Sequence, residues 1–124
     1  NAYDETVAQQ SNDICNDGAL VFKLKGQESS MLFLSDVGSI RENTITENFR
    51  DELSSDYVSM AHHGNSSFSD EFYTLINPKA AFFDAPDWLM TGEEYTTAHY
   101  EALMKSLNAQ IYTWEDAPHS ITLS

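Results

Sequence analysis

Four consecutive apolar residues, Met31-Leu32-Phe33-Leu34, stand between the turn cluster Gly26-Gln27-Glu28-Ser29-Ser30 and the loop Asp36-Val37-Gly38-Ser39. A run this short and this apolar reads as a strand covered on both faces and lying centrally in a sheet. Just upstream, Leu20, Phe22 and Leu24 alternate with Val21, Lys23 and Lys25. That is the period-two signature of a second strand, and the short connection predicts a hairpin over residues 19–35.

Beyond the hairpin, short helical patterns alternate with short strands. Thr46 to Leu53 reads as a helix with Phe49 and Leu53 on one face, and Tyr57 to Ala61 as a strand running into His62-His63-Gly64. The serines at 66, 67 and 69 offer N-caps for a helix over Asp70 to Ile76, which Asn77-Pro78 stops. Lys79 to Phe83 reads as a strand, and Asp84 to Tyr95 as an irregular acidic loop. A helix from Thr96 or Thr97 to Leu107 carries Tyr100, Leu103, Met104 and Leu107 on one face. Gln110 to Trp114 is a further strand, and His119 to Leu123 a sixth. The predicted class is α/β (α+β), a mixed and mostly antiparallel sheet with about three helices on one face.

Composition narrows the function classes. With 124 residues the chain suffices for one core, and 41% hydrophobic residues is too apolar for a disordered chain. Twenty acidic residues against six basic ones leave a net charge of −14. Such a surface repels phosphate backbones and anionic headgroups, which disfavours nucleic acid and membrane as partners of this segment. The single Cys15 permits no intrachain disulfide and no cysteine-rich zinc site. Asn1-Ala2 reads as an expression-tag remnant and the residues to Asp17 as a polar lead-in without an element, leaving 18–124 as the domain.

Chemistry is expected at two strand ends. Asp36 closes one apolar strand before a glycine-containing loop; His62 and His63 close another before Gly64. A carboxylate and an imidazole from neighbouring strand ends can share a divalent metal, although two ligands alone hold it weakly. Taken singly, each feature has an ordinary explanation: an Asp after a strand is a turn residue, and His-His-Gly a surface loop. His99, inside the last helix, and His119, near the final turn, read as solvated or supporting residues.

The order of these features is more specific than any one of them. Asn16-Asp17 before the first strand, Phe33-Leu34-Ser35-Asp36, Val58-Ser59-Met60-Ala61-His62-His63-Gly64 and Asn77-Pro78-Lys79-Ala80-Ala81 follow one another. From Asp13 onward the chain resembles the C-terminal half of a metallo-β-lactamase-fold hydrolase, closest to the hydrolase domain of ComEC-type competence proteins. The resemblance implies half of an αββα sandwich. It makes Asp36 a metal-bridging carboxylate, His62 a ligand and His63 a supporting or substrate-facing residue, with all three in the catalytic set. Asn16 and His99 would lie near substrate or behind the ligands. Zinc, or else manganese, would be the cofactor, and the N-terminal half of the same fold the partner. An extracytoplasmic location would follow.

Departures are also visible. Ser35 replaces the family's glycine, and the helix the family opens with His-Pro is opened near Thr97. The principal H-x-H-x-D-H motif belongs to the N-terminal half and is not in this chain. The expected function is therefore the C-terminal part of a metal-dependent hydrolase, acting on phosphodiesters or other esters and inactive alone. The alternative is a degenerate, non-catalytic binding or assembly module of that fold. A half sandwich leaves a sheet face bare, so either a homodimer or the lead-in Tyr3 to Asp17 is expected to cover it, the dimer ranking first.

Overall fold

The structure is a computed structural model describing residues 5–65, 68–114 and 118–124. Its elements in chain order are α1 (Glu5–Gln10), α2 (Ile14–Asp17), β1 (Phe22–Lys25), β2 (Ser30–Phe33), α3 (Glu42–Leu53), β3 (Tyr57–Ser59), α4 (Asp70–Ile76), β4 (Ala80–Phe83), α5 (Asp87–Thr91), α6 (Thr97–Ser106) and β5 (Gln110–Thr113). Short 3-10 turns occupy Ser39–Arg41 and Ala61–Gly64. One mixed five-stranded sheet has the order β1-β2-β3-β4-β5. The hairpin is present, with β1 antiparallel to β2. The other three pairings are parallel, so the sheet is not mostly antiparallel as the sequence suggested. Each of those strands is reached through a helical crossover, which returns the chain in the same direction.

The strand order runs in one direction across the sheet. With crossovers of one hand, that order puts every crossover helix on the same face. Leu32, Val58 and Ala81 share a register row and pack with Ile45 and Leu53 of α3, Phe72, Tyr73 and Ile76 of α4, and Tyr100 and Met104 of α6. Alternation along the strands then assigns Phe22, Leu24, Met31, Phe33, Tyr57, Phe82 and Tyr112 to the opposite face. Phe22 stacks on Phe33 there, with ring centres 4.6 Å apart.

Among the described residues no crossover helix lies on that second face. The C-terminal stretch 118–124 is anchored on it at two points. His119 sits 4.6 Å from the Tyr112 ring, and the Ser124 carbonyl accepts from the backbone N–H groups of Glu28 (2.6 Å) and Ser29 (3.1 Å) at the hairpin turn. Gly26 makes this approach possible, since a Cβ there would stand 2.4 Å from the Ser124 oxygen. The expected sixth strand is thus an irregular segment crossing the sheet rather than extending it.

Several local expectations change. The polar lead-in contains α1 and α2: among its described side chains Val7 alone is deeply buried, too little to create a visible period. It docks near Ser39–Arg41, with Arg41 Nη1 donating to the Asp17 carbonyl at 3.0 Å, and so does not cover the open face. Phe49 and Leu53 do not share a buried face. The helix kinks at Phe49 (φ −135°), which turns outward and leaves Ile45 and Leu53 inward. The acidic loop contains α5, started after Pro86 and anchored by buried Leu89. For α4 the N-cap is Ser69, whose Oγ accepts from Phe72 N–H at 3.1 Å; Ser66 and Ser67 lie outside the described residues. Among the described residues no helix is long and apolar enough to cross a membrane.

Candidate metal centre at the strand ends

Three adjacent strands, β2, β3 and β4, end side by side and pass their chain into loops on the same edge of the sheet. Loops at strand ends are where a rigid sheet positions functional side chains. Leu34, buried completely, fixes the exit of β2; Ser35 then turns the chain with φ +53° and delivers Asp36. The Ser35 Oγ donates to the Leu20 carbonyl at 2.6 Å, and its own carbonyl accepts from His62 N–H at 2.8 Å. The aspartate loop and the histidine turn are therefore tied through the backbone.

The histidine turn is strained. His62 (φ +48°), His63 (φ +60°) and Gly64 (φ +88°) occupy left-handed backbone in succession. The other positive φ values among described non-glycine residues belong to Ser35 and to Asn77 and Asn108, both asparagines following helices, where this conformation is commonplace. The unusual backbone thus gathers at Ser35 and His62-His63. Left-handed non-glycine residues cost about 1–3 kcal/mol each and persist where surrounding structure over-determines them, most often at functional sites. Gly64 is required for close approach: an added Cβ would lie 2.3 Å from Phe83 Cδ1 and 3.3 Å from Thr97 Cγ2.

It is His63, rather than His62, that this turn sends to the aspartate. His63 Nε2 stands 3.7 Å from Asp36 Oδ1, and its Nδ1 lies 2.8 Å from the Asp84 carbonyl oxygen at the end of β4. A carbonyl only accepts, so Nδ1 is the donor there, and in the neutral form of the ring Nε2 presents its lone pair toward the carboxylate. Two acceptors facing each other favour a cation between them. A ring N–H spent on a backbone carbonyl is also how metal-binding histidines are held. Two ligands placed about 2.0–2.2 Å from a tetrahedral zinc stand roughly 3.3–3.6 Å apart, close to the separation found. The donor pair fits one metal edge-on. Among the described residues no third His, Cys, Asp or Glu joins it.

The other predicted site residues do not join this pair. His62 makes no ion pair with Asp36; its ring centre is 6.1 Å from that of His63. Asn16 is bound up in its own turn, donating through Nδ2 to Asp13 Oδ2 at 2.9 Å. Its neighbour Asp17 reaches the site loop instead. Asp17 Oδ1 accepts from Gly38 N–H at 3.0 Å and Oδ2 from Ser11 Oγ at 2.6 Å, bracing the backbone two residues past Asp36. His99 pairs with Asp70 at 2.7 Å and links α6 to α4 without touching Asp36 or His63. Asn65, next after the glycine, accepts through Oδ1 from Thr96 N–H at 3.1 Å and so fixes the start of α6 against the turn.

Asp84 was absent from the predicted set. Its signal was present: like Asp36, it directly follows an apolar strand, Ala80 to Phe83. Comparison with known proteins gives no match, whether to a family model, to a curated protein or to a solved structure at a significant level.

Proposed function

We propose that this chain is the C-terminal half of a metal-dependent hydrolase of the metallo-β-lactamase fold, acting on phosphodiesters or other esters and inactive by itself. The observation that carries the reading is the convergence of Asp36, His63 and the Asp84 carbonyl at the carboxyl ends of three adjacent strands, on backbone strained at Ser35, His62 and His63. Asp36 and His63 would hold a divalent metal, zinc or else manganese, with His62 beside them. When bound, such an ion supplies Lewis acidity and lowers the pKa of a coordinated water. The chain's own contribution is to orient the imidazole through Asp84 and to set the aspartate loop through Asp17 and Ser35.

The part of this second sheet face that the C-terminal stretch leaves exposed, at Phe22 and Leu24, supports the same reading. A second sheet, from the N-terminal half of the fold, is its proposed cover, and a homodimer would use the same face. The alternative of a decayed binding or assembly module draws on Ser35 standing where the family has glycine. Ser35 nevertheless holds the left-handed turn a glycine would hold, stabilised by its bond to Leu20.

The test is hydrolysis of bis(p-nitrophenyl) phosphate by the parent protein carrying the H-x-H-x-D-H half. Chelator-sensitive turnover that falls at least about 100-fold in Asp36→Ala and His63→Ala is expected. Full turnover in both variants, or turnover by the present chain alone, would overturn the proposal.

A further inference from the structure

A second concavity lies on the same edge of the sheet, where β4 and β5 end. It has a volume of about 410 Å³ and is lined by Phe82, Asp84, Tyr112, Trp114, Pro118 and His119, among others. That is within the range of small-molecule sites. Aromatic residues dominate its lining. Phe82 and Tyr112 pack with ring centres 4.9 Å apart, Tyr112 and His119 at 4.6 Å, and Trp114 is 56% exposed. Among the described residues no lysine or arginine lines it, whereas Asp84 does, on a chain of net charge −14.

Aromatic faces carry negative charge density, and Asp84, exposed among the lining residues, adds a negative charge to the cleft. Together they attract a weakly hydrated cation and repel an anion. A primary ammonium would hold its water shell more tightly than an alkylated one, and these walls offer few hydrogen-bond acceptors to replace that water. We propose that this cleft binds a quaternary or otherwise alkylated ammonium group. The backbone of Asp84 already holds His63, at 2.8 Å, so the cleft and the candidate metal pair share a residue. A ligand seated by its ammonium group would therefore extend toward Asp36 and His63. This last clause rests on the hydrolase reading; the binding itself does not.

The test compares choline with 3,3-dimethyl-1-butanol, which has the same shape without the charge. Binding is followed by the fluorescence of Trp114 in a Trp88→Phe background with chelator present, and circular dichroism checks that each variant is folded. Choline is expected to give a saturable change, and the neutral alcohol to bind at least about five-fold more weakly. Asp84→Asn should weaken choline several-fold and leave the alcohol unchanged. Tyr112→Leu should weaken choline without unfolding the chain. Equal response to the two probes, or no saturable change with choline up to about 50 mM, overturns the proposal. Choline binding without any metal response at His63 would retain the cleft and discard the hydrolase reading; the reverse result would do the opposite.

Discussion

Gly64→Ala is the sharpest single perturbation of the histidine turn. Two separate costs follow from the geometry. The first is backbone: at φ +88° a residue with a Cβ is disfavoured by roughly 1–2 kcal/mol. The second is contact. The new methyl would lie 2.3 Å and 2.6 Å from Cδ1 and Cε1 of Phe83, where carbons rest at about 3.5–4.0 Å. Phe83 is itself buried in the core cluster, so its ring cannot swing aside without displacing its neighbours there. Forcing a methyl into a packed core adds about 1–3 kcal/mol. The sum, about 2–5 kcal/mol, is a large share of the ~5–15 kcal/mol that holds a domain folded. With a urea slope near 1.5 kcal/mol/M, the unfolding midpoint should fall by about 1–3 M. Adding Phe83→Ala should recover part of the contact cost, giving a coupling of at least about 1 kcal/mol between the two positions. A midpoint shift below about 0.5 M at unchanged slope would refute the claim that glycine is needed for both conformation and space.

Other outcomes follow from particular contacts. Ser35→Gly relieves a left-handed serine but deletes its bond to the Leu20 carbonyl; the two effects oppose each other, so stability by urea denaturation should change by less than about 1 kcal/mol. Thr97 is fully buried and its Oγ1 has no hydrogen-bond partner among the described residues, so Thr97→Val should leave the thermal midpoint unchanged or raise it. Asp56 lies below the ordinary aspartate range, chiefly through its bond to Lys79 and further through Ser30 N–H at 2.9 Å. A carboxylate depressed in the folded state contributes stability that is present above its unfolded pKa and lost as pH falls through the folded one. Asp56→Asn should therefore flatten the acid limb of the stability–pH curve below about pH 4 and lower the plateau above it. The same pair raises Lys79, whose share would vanish only as pH climbs past the lysine range.

Much of the scaffold was legible because burial and period coincide there. Met31 to Leu34 and Ala80 to Phe83 are apolar in unbroken runs, and both became inner strands. Tyr100 and Met104, four apart, became the buried stripe of α6. Strand direction was not legible from those runs. It is set by the helical connections after β2, β3 and β4, each of which returns the chain in the same direction. Helices α1, α2 and α5 were missed since each is held by one buried side chain or by capping bonds, which leave no period. Phe49 misled for a different reason: its spacing fits a helix face, but the backbone breaks at that residue.

At the site, the strand-end positions of Asp36 and the histidine pair could be read from the sequence. Which histidine faces the aspartate could not. The choice depends on consecutive left-handed residues, a conformation that local composition does not encode beyond Gly64. Asp17 was noticed as part of an Asn-Asp pair, yet its role emerges only from a contact 21 positions away, at Gly38.

The central claim is that Asp36 and His63 form one edge of a divalent metal site. Its most direct test is a zinc titration of this chain at neutral pH, followed by NMR through the imidazole resonances of the four histidines, assigned with single His→Gln variants. The account predicts weak, saturable shifts of His63 with a dissociation constant of about 0.1–1 mM, abolished in Asp36→Ala, while His99 stays paired with Asp70 and unshifted. Zinc that shifts His99 or His119 first, or that binds equally well to Asp36→Ala, would contradict it.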